Sequence, residues 1–164
     1  MTYKLSTVSV LVVEDLQPMR ILIQSVLDIM GFKNIVLAHN GEEAYEHFCK
    51  YGTDLIITDW MMQGMGGLEL IEKVRTDENS PDPFVPIILM TGYSNKMRVE
   101  IARDCGMTEF LAKPFKSQDL YNRIVQIVEK PRQFIKSEEF FGPDRRRRKD
   151  DIYEGPIRRD DDKK

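Results

Sequence analysis

Charged and hydroxyl side chains close four apolar segments of this sequence. They are Glu14 and Asp15 after "VSVLVV", Asp59 at the end of "LIITD", Thr91 at the end of "IILMT" and Lys113 after "FLA". Three carboxylates brought together would repel one another and would need a cation, and oxygen ligands with room for water suit Mg²⁺ or Mn²⁺. With a metal and an ammonium group beside it, Asp59 would be a suitable nucleophile for a phosphoryl group, because positive charge stabilises the transferred oxygens.

Each of these residues has an ordinary structural explanation when it is considered alone. A lone aspartate after a strand is usually a turn or cap residue, and Lys-Pro is a common turn signal. Together they are harder to explain in this way, because each of the four segments ends in a polar group. The pattern therefore favours one shared site, in which Asp59 is held at the edge of a sheet to be phosphorylated.

The elements that would position this site alternate between strand and helix. A short β-branched run, "VSVLVV", precedes a helix in which apolar residues recur every three or four positions from Met19 to Met30. Pro18 suits the first turn of that helix, and Gly31 ends it. Four more pairs follow: the strands lie in "NIVLAHNG", "LIITD", "FVPIILMTG" and "TEFLAKPF", and the helices lie in "EEAYEHFCKYG", "GLELIEKVRTDE", "NKMRVEIARDCG" and "SQDLYNRIVQIVEK".

Five strand–helix units within residues 1–130 predict a parallel sheet with helices on both faces. We expect Ser117 to cap the last helix. In an open parallel sheet the carboxyl ends of the strands lie at one edge, where ligands bind. We therefore expect the five polar residues named above to converge there, as the last residues of strands one, three, four and five.

The composition is that of one globular domain with a modest extension. The chain has 164 residues, of which 41% are hydrophobic and 31% charged, and such a domain can bury a core without disulfides. Cys49 and Cys105 match no metal or redox spacing, and two isolated histidines, His39 and His47, are poor material for a zinc site. The sequence contains neither a signal peptide nor an apolar span long enough to cross a membrane. We expect a cytoplasmic protein that does not bind membranes.

The segments around the polar residues strongly resemble the receiver domain of two-component response regulators. The similar motifs are "VLVVED", "LIITDW", "ILMTG" and "FLAKPF", and the resemblance covers residues from about 7 to 130. The stretches "MRILIQSVLDIMGF" and "TDWMMQGMGGLEL" are similar to the single-domain chemotaxis regulators of the family. The resemblance implies a doubly wound, flavodoxin-like α/β fold with five parallel strands in the order 2-1-3-4-5 and five helices.

The resemblance also implies a metal site for Mg²⁺ or Mn²⁺ around the phosphoacceptor, which would be Asp59. Glu14 and Asp15 match the acidic pair of the family, and Asp15 would be the more direct metal ligand. The backbone carbonyl of Met61 would complete the metal site.

Two further residues of the family's site match Thr91 and Lys113. The Thr91 hydroxyl would move toward the phosphoryl group, and Lys113, with a cis peptide bond to Pro114, would bind it. Phe110 matches an aromatic residue that turns inward on activation, although an ordinary core residue of an edge strand would look the same. The surface expected to change and to contact a partner also includes Lys96, Val99, Ala112, Lys116 and Arg123, with Tyr93 either covering the pocket entrance or simply exposed.

The loop after Asp59 departs from the family pattern. It reads "DWMMQGMGG", with Gln63 where the family commonly has proline and Gly66 where it has aspartate. These changes should loosen the loop, because glycine adds conformational freedom and proline removes it. Met61 places an apolar side chain beside the phosphoryl group, and we hypothesise that it hinders the attacking water and slows dephosphorylation.

The sequence predicts two parts: a receiver domain in residues 1–130 and a charged C-terminal extension in residues 131–164 that is partly disordered or docks. The stretch "FIKSEEFFGPD" is too apolar for a purely disordered tail, so we expect it to dock on the receiver or on a partner. The "RRRRK" run is either solvated or attracts phosphate or an acidic surface. Acidic residues flank it, so binding of nucleic acid is not expected.

The expected function is that of a single-domain response regulator. It would accept a phosphoryl group on Asp59 from a histidine kinase or a histidine phosphotransfer protein. It would then bind an unknown output protein or act as a phosphoryl shuttle or sink. Its only chemistry would be metal-dependent self-phosphorylation and slow dephosphorylation, so it is not expected to be an enzyme. It would be a monomer or a phosphorylation-dependent dimer.

Four other functions compete with this one. A degenerate receiver would bind proteins without being phosphorylated, which the altered loop favours and the complete polar set opposes. A phosphohydrolase usually needs an acid two residues after the nucleophile, where Met61 stands. A nucleotide or flavin carrier would need a glycine-rich or hydroxyl-rich loop in place of "EDLQPM". Binding of nucleic acid through the arginine run would be recognised by its salt dependence.

Overall fold

A five-stranded parallel sheet forms the centre of the protein. A computed structural model describes residues 3–92, 96–138 and 140–144. The sheet contains β1 (Ser9–Val13), β2 (Asn34–Ala38), β3 (Leu55–Asp59), β4 (Ile87–Thr91) and β5 (Glu109–Ala112), in the order β2-β1-β3-β4-β5. The helices are α1 (Gln17–Met30), α2 (Gly41–Tyr51), α3 (Gly67–Thr76), α4 (Lys96–Asp104) and α5 (Ser117–Glu129). The predicted fold class and strand order are confirmed.

The central strands are apolar because helices cover both faces of the sheet. Every residue of β3 and β4 is buried, and in β1 only Ser9 is partly exposed. The parallel register places Asp59 beside Met90 and Thr91 beside Ala112. These strands therefore end together, at the carboxyl edge of the sheet, and all begin at the opposite amino edge.

Each layer of helices has its own core. On one face, α1 and α5 contribute Ile23, Leu27, Leu120 and Ile124. On the other face, α2, α3 and α4 contribute Ala44, Phe48, Leu70, Ile71, Val74 and Ala102. Within the described ranges, no helix has the length and hydropathy needed to cross a bilayer.

The structure corrects some predicted boundaries. β1 ends at Val13, and β5 ends one residue before Lys113, so the acidic pair and the lysine begin loops rather than end strands. Ser117 is the first residue of α5 and not its cap. The Lys116 backbone N–H donates instead to the Asp119 carboxylate at 2.8 Å, and this contact fixes the start of the helix.

The chain continues past α5 into a short antiparallel hairpin. Its strands are β6 (Phe134–Lys136) and β7 (Phe141–Pro143), and β7 lies beside α3. Tyr93 and residues 145–164, with the "RRRRK" run, lie outside the described residues. The division of the chain at residue 130 stays a prediction.

Gly67 lets the start of α3 lie directly against the end of β3. A Cβ atom at this position would be 2.1 Å from the backbone oxygen of Asp59 and 3.0 Å from Leu89 Cδ1. The Gly67 backbone N–H donates to the Trp60 backbone oxygen at 2.9 Å. This close approach fixes the position of α3 relative to Asp59.

Gly67→Ala should destabilise the fold. The added methyl group must push α3 away from the Asp59 backbone, and overpacking of this kind costs about 1–3 kcal/mol. Gly92→Ala is the matched control, because a Cβ atom at Gly92 meets nothing within 4 Å. Chemical denaturation measures the free energy of unfolding of both variants, and equal values would contradict the packing argument.

Candidate functional site

The five predicted residues meet at the carboxyl edge of the sheet. Glu14 and Asp15 begin the loop after β1, Asp59 ends β3, Thr91 ends β4 and Lys113 follows β5. Glu14, Asp59 and Thr91 are buried, whereas Asp15 and Lys113 are partly exposed. The sheet brings them together, because these four strands are neighbours and run in the same direction.

The Lys113 ammonium group links two of the three carboxylates. Its Nζ atom lies 2.8 Å from Glu14 Oε2 and 3.0 Å from Asp59 Oδ1. Burial alone would lower the pKa of Lys113, but its hydrogen bonds to Glu14 and Asp59 outweigh burial and raise the pKa above its ordinary value. The Lys113 backbone N–H donates to the Thr91 backbone oxygen at 2.7 Å. The peptide bond between Lys113 and Pro114 is cis, as predicted. The lysine thus stays charged and joins the ends of β1, β3 and β4.

The three carboxylates are close enough to share one cation. One oxygen each from Glu14, Asp15 and Asp59 lies within 4.8 Å of the others. Burial raises the pKa of Glu14 above its ordinary value, and the hydrogen bond from Lys113 offsets part of this effect. Because Asp15 leaves one side of the cluster partly open, the donor set fits Mg²⁺ or Mn²⁺, which prefer oxygen ligands and retain water. The ligand role of the Met61 carbonyl stays a prediction.

Arg20 belongs to the site, although the sequence reasoning missed it. This residue of α1 is 7% exposed, and its Nη1 donates to the backbone oxygens of Glu14 at 2.5 Å and Asp15 at 3.3 Å. It therefore fixes the loop that carries the acidic pair and adds positive charge behind it. A signal was available: Arg20 shares the buried face of α1 with Ile23 and Leu27, at spacings of three and four, where a charged residue is unexpected.

Trp60 connects the loop after Asp59 with α4. Its backbone N–H donates to the Met90 oxygen at 2.9 Å, and its side chain packs against the core. The guanidinium carbon of Arg98 lies 5.7 Å from the centroid of the Trp60 ring. Trp60 is also the only tryptophan of the chain, so its fluorescence can report on events at Asp59.

The residues of the predicted partner surface lie on α4, on β5, on α5 and directly before α5. The exposed members are Lys96, Ala112 and Lys116. Val99 and Phe110 are partly buried and pack against the core under α2, α3 and α4. Arg123 Nη1 lies 3.5 Å from Oε2 of the buried Glu109, so this arginine is tied to β5. A partner-binding role for these residues stays a prediction.

Comparison with known families gives one match that covers most of the chain. The sequence profile of the family described as "Response regulator receiver domain" matches residues 10–125. The hairpin lies beyond the end of this match.

The similar proteins include chemotaxis regulators. Chemotaxis protein CheY1 of Helicobacter pylori is 35% identical over 119 residues, which are 72% of this chain and 94% of that protein. Chemotaxis protein CheY of Pseudomonas aeruginosa is 31% identical over 121 residues, 74% of this chain and 96% of that protein. The crystal structure of CheY4 from Vibrio cholerae superposes with a TM-score of 0.67 at 28% identity, covering 73% of this chain and 98% of that one.

Arg20→Met should weaken Mg²⁺ binding. Without the side chain that holds their backbone, Glu14 and Asp15 lose orientation, and loss of such a supporting contact typically costs roughly 10–100-fold in metal affinity. Titration of Trp60 fluorescence with Mg²⁺ measures the dissociation constant. Arg20→Lys should restore part of the affinity, and Asp15→Asn should abolish the response.

The matched control is Lys33→Met, which removes the charge of an exposed residue between α1 and β2, at the opposite edge of the sheet from the acidic pair. It should leave the Mg²⁺ dissociation constant unchanged. If Arg20→Met bound Mg²⁺ as tightly as the wild-type protein, the positioning role of Arg20 would be wrong.

Proposed function

Because the chain belongs to the response regulator receiver domain family, we propose that it is a single-domain response regulator that accepts a phosphoryl group on Asp59. The observation that carries the proposal is the contact of one ammonium group, on Lys113, with both Asp59 and Glu14 at the carboxyl edge of the sheet. Phosphorylation of an aspartate is general to this family. A histidine kinase or a histidine phosphotransfer protein would supply the phosphoryl group.

The arrangement suits transfer of a phosphoryl group to a carboxylate. An Asp59 oxygen attacks phosphorus as the bond from phosphorus to the donor's imidazole nitrogen breaks, and the imidazole leaves. Lys113 offsets negative charge on the transferred oxygens, and the Thr91 hydroxyl donates a hydrogen bond to one of them. Mg²⁺, held by Glu14, Asp15, Asp59 and the Met61 carbonyl, would supply further charge compensation.

The protein would act as a switch rather than as an enzyme. A phosphoryl group adds negative charge and strong hydrogen-bond acceptors at Asp59. It would favour a second packing in which Thr91 and Phe110 turn toward the site. The changed surface of α4, β5 and α5 would bind an output protein, or the protein would pass the phosphoryl group on as a shuttle or sink. The cytoplasmic setting and a monomeric or phosphorylation-dependent dimeric state stay predictions.

Incubation with acetyl phosphate and Mg²⁺ should add one phosphoryl group to the intact protein. Mass spectrometry should detect the adduct in the wild-type protein and not in Asp59→Asn, because the nucleophilic oxygen pair is lost. The matched control is Asp54→Asn. Asp54 lies directly before β3, at the edge of the sheet opposite Asp59, and its carboxylate accepts hydrogen bonds from the Ser9 backbone N–H and hydroxyl. This variant should be phosphorylated normally.

An adduct that survives in Asp59→Asn would place the phosphoacceptor elsewhere and contradict the proposal. If no protein forms an adduct, beryllofluoride replaces acetyl phosphate as the probe, since it occupies the phosphoryl position without chemistry. A protein that binds no beryllofluoride with Mg²⁺ is a degenerate receiver, and the proposed function is then wrong.

Met61→Asn should shorten the lifetime of the phosphoryl group. The Met61 side chain is 61% exposed in the loop after Asp59, where its apolar surface hinders an approaching water. An amide in its place should orient water, and we expect dephosphorylation to be about tenfold faster, or ~1.4 kcal/mol in the barrier. Decay of the intact-mass adduct measures the rate. Gln63→Asn in the same loop is the control, and equal lifetimes in Met61→Asn and the wild-type protein would refute the hypothesis.

A further inference from the structure

The hairpin after α5 is tied together at both ends. β6 and β7 pair so that Phe134 faces Pro143 and Lys136 faces Phe141. At the turn, the Ser137 backbone N–H donates to the Phe140 oxygen at 2.8 Å. At the open end, the Asp144 N–H donates to the Gln133 oxygen at 2.7 Å. The described residues 131–138 and 140–144, which we call the C-terminal hairpin, therefore form one local unit.

Aromatic rings hold the C-terminal hairpin to the body of the protein. Phe84 lies in the loop before β4, and its ring meets those of Phe134 and Phe141 edge to face at centroid distances of 5.1 and 5.3 Å. The two hairpin rings lie 5.8 Å from each other. Three rings packed in this way form an apolar contact between the hairpin and the amino edge of the sheet.

Arg75, at the end of α3, organises the surface under these rings. Its Nη1 donates to the Pro83 and Val85 oxygens at 2.8 and 2.7 Å, and its Nε donates to the Gly106 oxygen at 3.0 Å. Its guanidinium carbon lies 5.0 Å from the centroid of the Phe134 ring. Burial lowers the pKa of Arg75 to about 9, so the side chain is still protonated at neutral pH. One cation thus joins α3, the loops that precede β4 and β5, and the hairpin.

The hairpin backbone also touches the turn between α4 and β5. A Cβ atom on Gly142 would lie 2.8 Å from the Gly106 Cα, and a Cβ atom on Gly106 would lie 3.0 Å from the Phe141 oxygen. Gly106 itself has φ +96°, a conformation that glycine adopts without strain. Two glycines are therefore needed for the hairpin to reach this turn.

A buried ion pair links the hairpin to β5. Glu109, the first residue of β5, is 2% exposed, and Arg132 Nη2 lies 3.3 Å from its Oε1. Arg123 of α5 contacts the other carboxylate oxygen. Because β5 has only four residues, Glu109 at one end is close along the strand to Lys113, which follows the other end and contacts Asp59. The strand thus runs from the hairpin's docking surface to the candidate phosphorylation site.

We propose that the C-terminal hairpin is an autoinhibitory clip on this receiver. Its docking favours the arrangement of α4 and β5 in which Lys113 contacts the Asp59 carboxylate. A phosphoryl group on Asp59 replaces the Asp59 carboxylate as the partner of Lys113 and favours a second packing of β5. This second packing weakens the contacts of the hairpin with Glu109 and Gly106. Because coupling between two sites is reciprocal, a weakened hairpin must make the phosphorylated packing easier to reach. The clip rests on the proposed function of Asp59.

The test measures beryllofluoride affinity in the full-length chain with Mg²⁺ present, using Trp60 fluorescence. Phe141→Ala removes one docking ring, and Arg132→Gln removes the hairpin's partner of Glu109, while neither changes the phosphorylation site. Each variant should bind beryllofluoride at least about fivefold more tightly than the wild-type protein, the lower end of typical coupling between sites. The matched control is Lys136→Gln, an exposed residue of β6, which should bind like the wild-type protein.

Hydrogen exchange gives the reciprocal readout in the wild-type protein. Beryllofluoride with Mg²⁺ should speed the exchange of the Ser137 and Asp144 amides, whose hydrogen bonds close the hairpin. Equal beryllofluoride affinities in Phe141→Ala, Arg132→Gln and the wild-type protein, or unchanged exchange of both amides, would overturn the clip. If no protein binds beryllofluoride, the proposed function fails first, and the clip fails with it.

Discussion

The Lys113 ammonium group is the interaction on which the candidate site depends. It contacts Glu14 and Asp59, two buried carboxylates that would otherwise repel each other and resist burial. At a separation of about 4 Å and an effective dielectric of 20, such repulsion is worth ~4 kcal/mol. The lysine offsets part of this energy, and Asp15 leaves the cluster with unbalanced negative charge that a divalent cation suits. The site is thus prepared for cations and for the oxygens of a phosphoryl group.

The fold makes these contacts of Lys113 possible because it fixes where the strands end. Parallel neighbours β1, β3, β4 and β5 deliver their carboxyl ends to one edge, so side chains distant in sequence become adjacent. Gly67 lets α3 approach the Asp59 backbone, and Arg20 holds the acidic loop from behind. At the amino edge, Arg75 donates to the Gly106 backbone oxygen beneath the C-terminal hairpin, and Glu109 forms an ion pair with Arg132 of the hairpin. The four-residue strand β5 joins the two edges.

Much of the fold and most of the candidate site were predictable from the sequence, because they rest on local signals. Periodicity of apolar residues located the strands and helices, and polar residues at strand ends located the site. Strand order came only from the family resemblance, because periodicity along a chain carries no information about which strands are neighbours. Ser117 was wrongly predicted as a cap because the helix begins one residue earlier than expected: Lys116 is the N-cap residue, and its backbone N–H donates to the Asp119 carboxylate. Arg20 stands out on the apolar face of α1, but its role was missed because its partners are backbone carbonyls, which have no signature in a sequence. The sequence predicted that "FIKSEEFFGPD" docks but not that it forms a hairpin, because the short strands gain their stability from distant contacts with Phe84 and Arg75.

Lys113 and the acidic cluster together form the proposed receptor for a phosphoryl group. The most direct measurement is beryllofluoride binding, followed by Trp60 fluorescence, in the wild-type protein and in Lys113→Met, each with and without Mg²⁺. The exposed neighbour in Lys116→Met controls for the loss of a positive charge. We expect Mg²⁺-dependent binding in the wild-type and Lys116→Met proteins and none in Lys113→Met. Equal binding in Lys113→Met, or binding that does not require Mg²⁺, would contradict this expectation.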